Sequence, residues 1–133
     1  MSLPSNEHTF EFSEKGEKTK KAFEGSFTVK CLLSIQEIVD VGLRIDSYNR
    51  GSITVAPGIN LINRAFAELD VRIVKSPSWW KDSNNGRELR DINIVLQVFS
   101  KAVDAEDVYE KRIVEAAVEA DKSVAKSTAK KKE

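Results

Sequence analysis

One cysteine and one histidine in 133 residues leave this chain few of the side chains that most often bind transition metals or attack substrates. A Cys/His zinc site cannot be assembled from two such ligands. Cys31 alone forms no internal disulfide. In the apolar run FTVKCLL it reads as a buried thiol, which suits a reducing compartment. A Ser-His-Asp triad would have to recruit His8, close to the N-terminus. The six glycines are scattered, so neither GxxxxGK[ST] nor GxGxxG occurs. No DxDxDG cluster offers a carboxylate metal loop. Glu106 and Asp107 are adjacent carboxylates, and the start of an expected helix accounts for them. The expectation is a chain with no catalytic residues, no cofactor and no metal: a binding, assembly or structural protein, not an enzyme.

Long apolar runs are missing too. None approaches the roughly 20 residues that a membrane-spanning helix needs. The opening MSLPSNEH has no basic start followed by an apolar stretch, so no secretory signal is expected. A soluble, cytosolic protein follows. Net charge is also absent: 21 basic residues balance 21 acidic ones. No global basic field therefore drives binding to nucleic acid. The charge is uneven along the chain, however. Residues 104–120 hold six acids against Lys111 and Arg112, and residues 121–133 hold five lysines against Asp121 and Glu133. No aromatic residue interleaves with Lys126, Lys130, Lys131 and Lys132, as single-strand binding requires, so a solubilising tail is the expectation there.

What is present suits one modest core: 41% hydrophobic residues in a single-domain length. HTFEF alternates, with Phe10 and Phe12 on one face, and AFEGSFTVKCLL places Phe27, Val29 and Cys31 on one face. The Gly-bearing polar loop between them predicts an antiparallel hairpin, with Gly25 at a bulge. SIQE is a capping box that starts a first helix at Ser34, and Gly51 closes it. Its apolar stripe is Ile35, Ile38, Val39 and Ile45, with Val41 and Leu43 lying away from it. A second helix covers GINLINRAFAELD with Pro57 in its first turn. DVRIVKSPSWW is an extended segment leading into a turn, and DSNNGRE is a loop. A third helix spans RELRDINIVLQVFSKAV, and a fourth, capped by Asp104, spans DAEDVYEKRIVEAAVEA. The predicted fold is α+β, with an N-terminal hairpin packed on a bundle of about four helices. It forms one domain over residues 1–120, loose in its first eight or so residues. Residues 121–133 form a disordered Lys-rich tail.

Two features point to a partner. Trp79 and Trp80 are neighbours. In a strand they face opposite sides, and in a helix they sit about 100° apart. Both can close the core from its edge. Alternatively, one ring enters the core and the other, beside Pro77, serves as an interaction anchor. Tyr109, Ile113, Ala116, Ala117 and Ala120 form a thin stripe that buries little by itself and asks for a second surface. The candidate partner-binding residues are thus Pro77, Trp79, Trp80, Tyr109 and Ile113.

SITVAPGINLINRAFAELDVRIVKSPSWW, followed by LRDINIVLQVFSKAV, resembles the tail assembly chaperones of long-tailed, siphovirus-type bacteriophages. A helix ending in AFAELDVRIV, then PSWW, an Asn/Asp-rich loop and a helix carrying LRDINIVLQVF carry the likeness, which covers roughly residues 23–120. The resemblance implies a protein of the infected host cytoplasm that is absent from the mature virion. It implies binding and solubilising of the tape-measure protein, help in recruiting tail-tube protein subunits, and self-association into a homo-oligomer. It also raises a frameshifted C-terminal extension, for which AKKKE is suggestive. The alternative expectation is a phage virion structural protein, a tail-tube or head–tail connector component.

Overall fold

The computed structural model describes the backbone of residues 3–132 and the side chains of residues 3–122. Strands β1 (Glu7–Lys15) and β2 (Ala22–Lys30) form the expected hairpin. Helix α1 (Ile35–Tyr48) and helix α2 (Pro57–Arg72) follow. A short strand β3 (Ile73–Lys75), a five-residue helix α3 (Ser78–Asp82) and a long helix α4 (Ile92–Lys132) complete the chain. The fold is α+β, with three antiparallel strands in the order β1-β2-β3.

Alternation explains the hairpin. Phe12, Phe23, Phe27 and Val29 all turn to one face and are buried there, and Cys31 continues the row. Burial pushes the Cys31 thiol's pKa above its ordinary value. The register runs unbroken through the Phe12–Gly25 pair, so the bulge expected at Gly25 does not form. The irregularity lies on the other edge, where β3 pairs with β2 between Thr28 and Val29. β3 itself is the extended stretch after α2. The β-branched pair Ile73–Val74 leaves the helix there and adds a third strand to the expected hairpin.

The helices depart further from the expected bundle. The predicted third and fourth helices are one continuous α4 of 41 residues, on the order of 60 Å long. No glycine or proline interrupts SKAVDAED, and one aspartate inside a helix costs only about 0.7 kcal/mol. Asp104 therefore sits mid-helix, not at a cap. At its start the helix begins five residues later than expected, because Asp91 is engaged elsewhere. Its carboxylate accepts the Lys18 and Thr19 backbone N–H groups at 2.7 and 3.0 Å, together with the Thr19 hydroxyl. These bonds hold its pKa below the ordinary carboxylate value, with the Thr19 hydroxyl as the largest cause. Asn93 accepts from Glu17 N–H and donates to the Lys15 carbonyl, both at 3.1 Å. The start of α4 thus clamps the hairpin turn.

The core lies between the sheet face and α4. Ile94, Val95, Val98, Ala102 and Ala105 meet Phe12, Phe27 and Val29, with Leu69 of α2 and Trp80 of α3 filling in. α2 packs beside α4, and α1 packs on α2. The first residues, expected to be loose, are bonded from Pro4 onward. The Pro4 carbonyl accepts from the Tyr109 hydroxyl at 2.9 Å. The Asn6 side chain and backbone exchange three bonds with Cys31 and Leu32. The backbone of residues 121–132, expected to be a disordered tail, continues α4 as helix, and the side chains beyond Lys122 lie outside the described residues.

The capping box of α1 forms as predicted: Ser34 Oγ accepts from Glu37 N–H at 3.1 Å, and Glu37 accepts from Ser34 N–H at 3.0 Å. Lys30 donates to the same carboxylate. The Lys30 ammonium and the Ser34 backbone pull the Glu37 pKa down to about 2. A folded-state pKa below the unfolded value adds stability at pH above the unfolded pKa. That contribution is lost as pH falls toward the folded value. Between about pH 4.5 and pH 2, wild type should lose more stability than Glu37→Gln, as read from urea unfolding at each pH. Parallel acid limbs would show that the cap carboxylate contributes nothing.

Candidate functional site

α3 turns only once, so Trp79 and Trp80 point about 100° apart and still share one aromatic cluster. Phe27 serves both. Its ring meets Trp79 edge-on at 5.7 Å and Trp80 edge-on at 5.6 Å, geometry that aromatic quadrupoles favour. Trp80 is 2% exposed and belongs to the core. Trp79 is half-buried and also rests on Phe12 and Phe23. Its indole N–H donates to the Glu24 carbonyl at 2.8 Å. The sequence leaves open which ring enters the core. The structure gives Trp80 that place and leaves part of Trp79 accessible beside half-buried Pro77.

Gly25 makes this packing possible. A Cβ built there would lie 2.6 Å from Pro77 Cγ and 2.8 Å from Pro77 Cβ, too close for a rigid ring to absorb. Gly25 therefore marks close approach and not a bulge. Gly25→Ala should lower stability by about 1–3 kcal/mol through overpacking and shift the tryptophan emission, both readable in one denaturant titration. An unchanged midpoint would mean that Pro77 does not rest on β2.

Tyr109 and Ile113 lie elsewhere. Tyr109 is buried, with its hydroxyl on Pro4, and Ile113 is half-buried one turn further along α4. The five predicted residues thus divide into one cluster at α3 and a pair on α4. Beyond Tyr109, Val114, Ala117 and Val118 are exposed, so this stretch of α4 presents apolar side chains to solvent.

The largest surprise is α1. Val41 is its buried residue and Ile45 is half-buried, whereas Ile35, Ile38, Val39 and Leu43 are exposed, Ile35 by 84% and Ile38 by 59%. The helix docks through Val41, Arg44, Ile45 and Tyr48, a clean helical face with two polar members. Tyr48 and Arg44 bond Asp70 of α2. Arg87, which stacks on Phe66 and Tyr48, grips the same carboxylate at 2.7 and 3.2 Å. These ties fix the rotation of α1 and turn its richest apolar stripe outward.

Between α1, α2 and α4 runs a groove of about 300 Å³. Leu32, Leu33, Ile38 and Val41 form its apolar side. Its other side is charged. There Arg72 is buried, donating to Glu68 at 2.7 Å, to Glu106 at 3.2 Å and to the Cys31 carbonyl at 3.0 Å. Burial alone would lower the Arg72 pKa, but its two carboxylates outweigh that and raise it. Glu110 completes this wall. Sequence reading missed the groove; the signal available was the apolar arc of α1, too broad for one helix to bury.

Among the described residues, no group of three or more His, Cys, Asp or Glu side chains could hold a metal ion. Among them, no helix is long and apolar enough to cross a membrane. No family model, curated protein or solved structure matches this chain. The functional reading therefore rests on the molecule itself and on the resemblance of its motifs.

Proposed function

We propose that this protein is a tail assembly chaperone of a long-tailed bacteriophage. In the host cytoplasm it binds and solubilises the tape-measure protein, helps recruit tail-tube subunits and leaves before the virion is complete. The observation that carries the reading is the outward apolar stripe of α1, Ile35–Val39–Leu43 with Ile38 beside it. A helix that exposes four large aliphatic residues calls for a protein partner. The motif resemblance over residues 23–120 names the partner class. The part of α4 past Tyr109, with its exposed valines, is a second contact surface, suited to self-association.

Mass spectrometry of purified particles of the encoding phage tests this. The chaperone reading predicts that the chain is present in infected-cell lysate and absent from virions. Stoichiometric recovery in virions would replace it with the structural-protein reading, a tail-tube or head–tail connector component.

A further inference from the structure

The groove between α1, α2 and α4 has a chemistry that selects its occupant. One wall is aliphatic. The other holds three carboxylates, Glu68, Glu106 and Glu110, around a single guanidinium. Arg72 is already engaged with the first two, and Glu110 has no cation within ion-pair distance among the described residues. The groove is therefore net negative. An apolar segment that covered it without bringing a cation would desolvate Glu110 unpaired, which is costly. A phosphate backbone or an anionic lipid surface would be repelled by the same wall.

We propose that this groove, with exposed Ile38 on its lip, docks a helical protein segment that is apolar on one face and carries lysine or arginine beside that face. The aliphatic anchors would seat against Leu32, Leu33 and Ile38, and the cation would reach Glu110. Helix-in-groove recognition of this kind reads anchors at helical spacing, and the flanking charge sets partner choice and orientation. The inference deepens the chaperone reading by assigning it a site and a partner chemistry. It depends on the groove and not on the phage assignment.

The test uses the full chain and two labelled 16-residue probes, read by fluorescence anisotropy. Both carry leucine at i, i+3, i+4 and i+7; one has lysine at the flanking positions and the other glutamate. The Leu/Lys probe should bind and the Leu/Glu probe should not. Ile38→Gln and Glu110→Lys, both exposed and expected to fold, should each weaken binding by about 5-fold or more. Glu17→Lys, an equal charge reversal in the hairpin turn, should change it by less than about 2-fold. Failure of the Leu/Lys probe to bind overturns the proposal. So does equal binding of both probes, or an equal loss from Glu17→Lys, which would indicate diffuse attraction. Indifference to Ile38→Gln overturns it as well. Co-flotation with phosphatidylcholine vesicles that is abolished by Ile38→Gln would assign the apolar lip to lipid and also overturn it. Any of these outcomes leaves the virion measurement, and with it the phage reading, standing on its own.

Discussion

Trp80→Ala should lower stability by about 3–5 kcal/mol, the range for deleting a fully buried large aromatic. The indole fills the space between Phe27 and the loop after α3. That loop closes on it so tightly that a Cβ on Gly86 would lie 2.6 Å from its ring. Gly86 makes that contact at φ +88°, a left-handed conformation that glycine adopts without steric cost. The resulting cavity should persist, and denaturant unfolding should report the loss as a lower midpoint at unchanged slope. Trp79→Ala should cost less, because that ring is only half-buried. It removes the exposed hydrogen bond to the Glu24 carbonyl and trims the same cluster, for a loss of about 1–3 kcal/mol that comes mostly from lost packing. The pair also tests the anchor role. If Trp79→Ala loses stability but keeps partner solubilisation once folded, the exposed edge of that ring is no anchor.

Arg72→Met should destabilise by about 3 kcal/mol, through charge rather than volume. The guanidinium is the only cation bonded to Glu68 and Glu106 among the described residues, and it also supplies donors to the Cys31 and Lys30 carbonyls. Removing it leaves carboxylates whose side chains are 15% and 28% exposed without their partner. Glu68→Gln with Glu106→Gln, made in the Arg72→Met background, should restore part of the loss. Urea unfolding of this cycle measures the coupling. If Arg72→Met alone is neutral, solvent reaches the pair freely, and the groove wall is less desolvated than its geometry implies.

Much of the architecture was legible in the sequence, and the reasons differ by element. The hairpin was readable because period-two phenylalanines admit one pairing register. The start of α1 was readable because a capping box is a local device, fixed by four residues. The rotation of α1 was not. An apolar-only reading picks Ile35–Ile38–Val39–Ile45, whereas the helix docks through Arg44 and Tyr48, whose partner Asp70 lies 22 residues or more away. Polar ties of that range leave no periodic trace. The join of two expected helices into α4 was missed because Asp104 resembles a cap, and only the absence of glycine and proline argued otherwise. Gly25 and Asp91 show the same limit. Gly25 read as a bulge and Asp91 as the interior of a helix, and each is explained by a segment distant in sequence, Pro77 and the 15–19 turn. The tryptophan pair, singled out in the sequence as a packing oddity, lies on α3 between β3 and α4. The groove was invisible, since it exists only once α1, α2 and α4 are placed.

The central claim, that exposed aliphatic surface on this chain holds a helical partner in solution, is tested most directly by co-expression. The measurement is the fraction of tape-measure protein recovered in the soluble lysate, with and without this chain. The account predicts that the partner is largely insoluble alone and soluble with the wild-type chain. It should return to the pellet when Ile35, Ile38, Val39 and Leu43 are replaced together by serine in a variant that still folds. Equal solubility with the wild-type chain, the serine variant or no chain at all would contradict it.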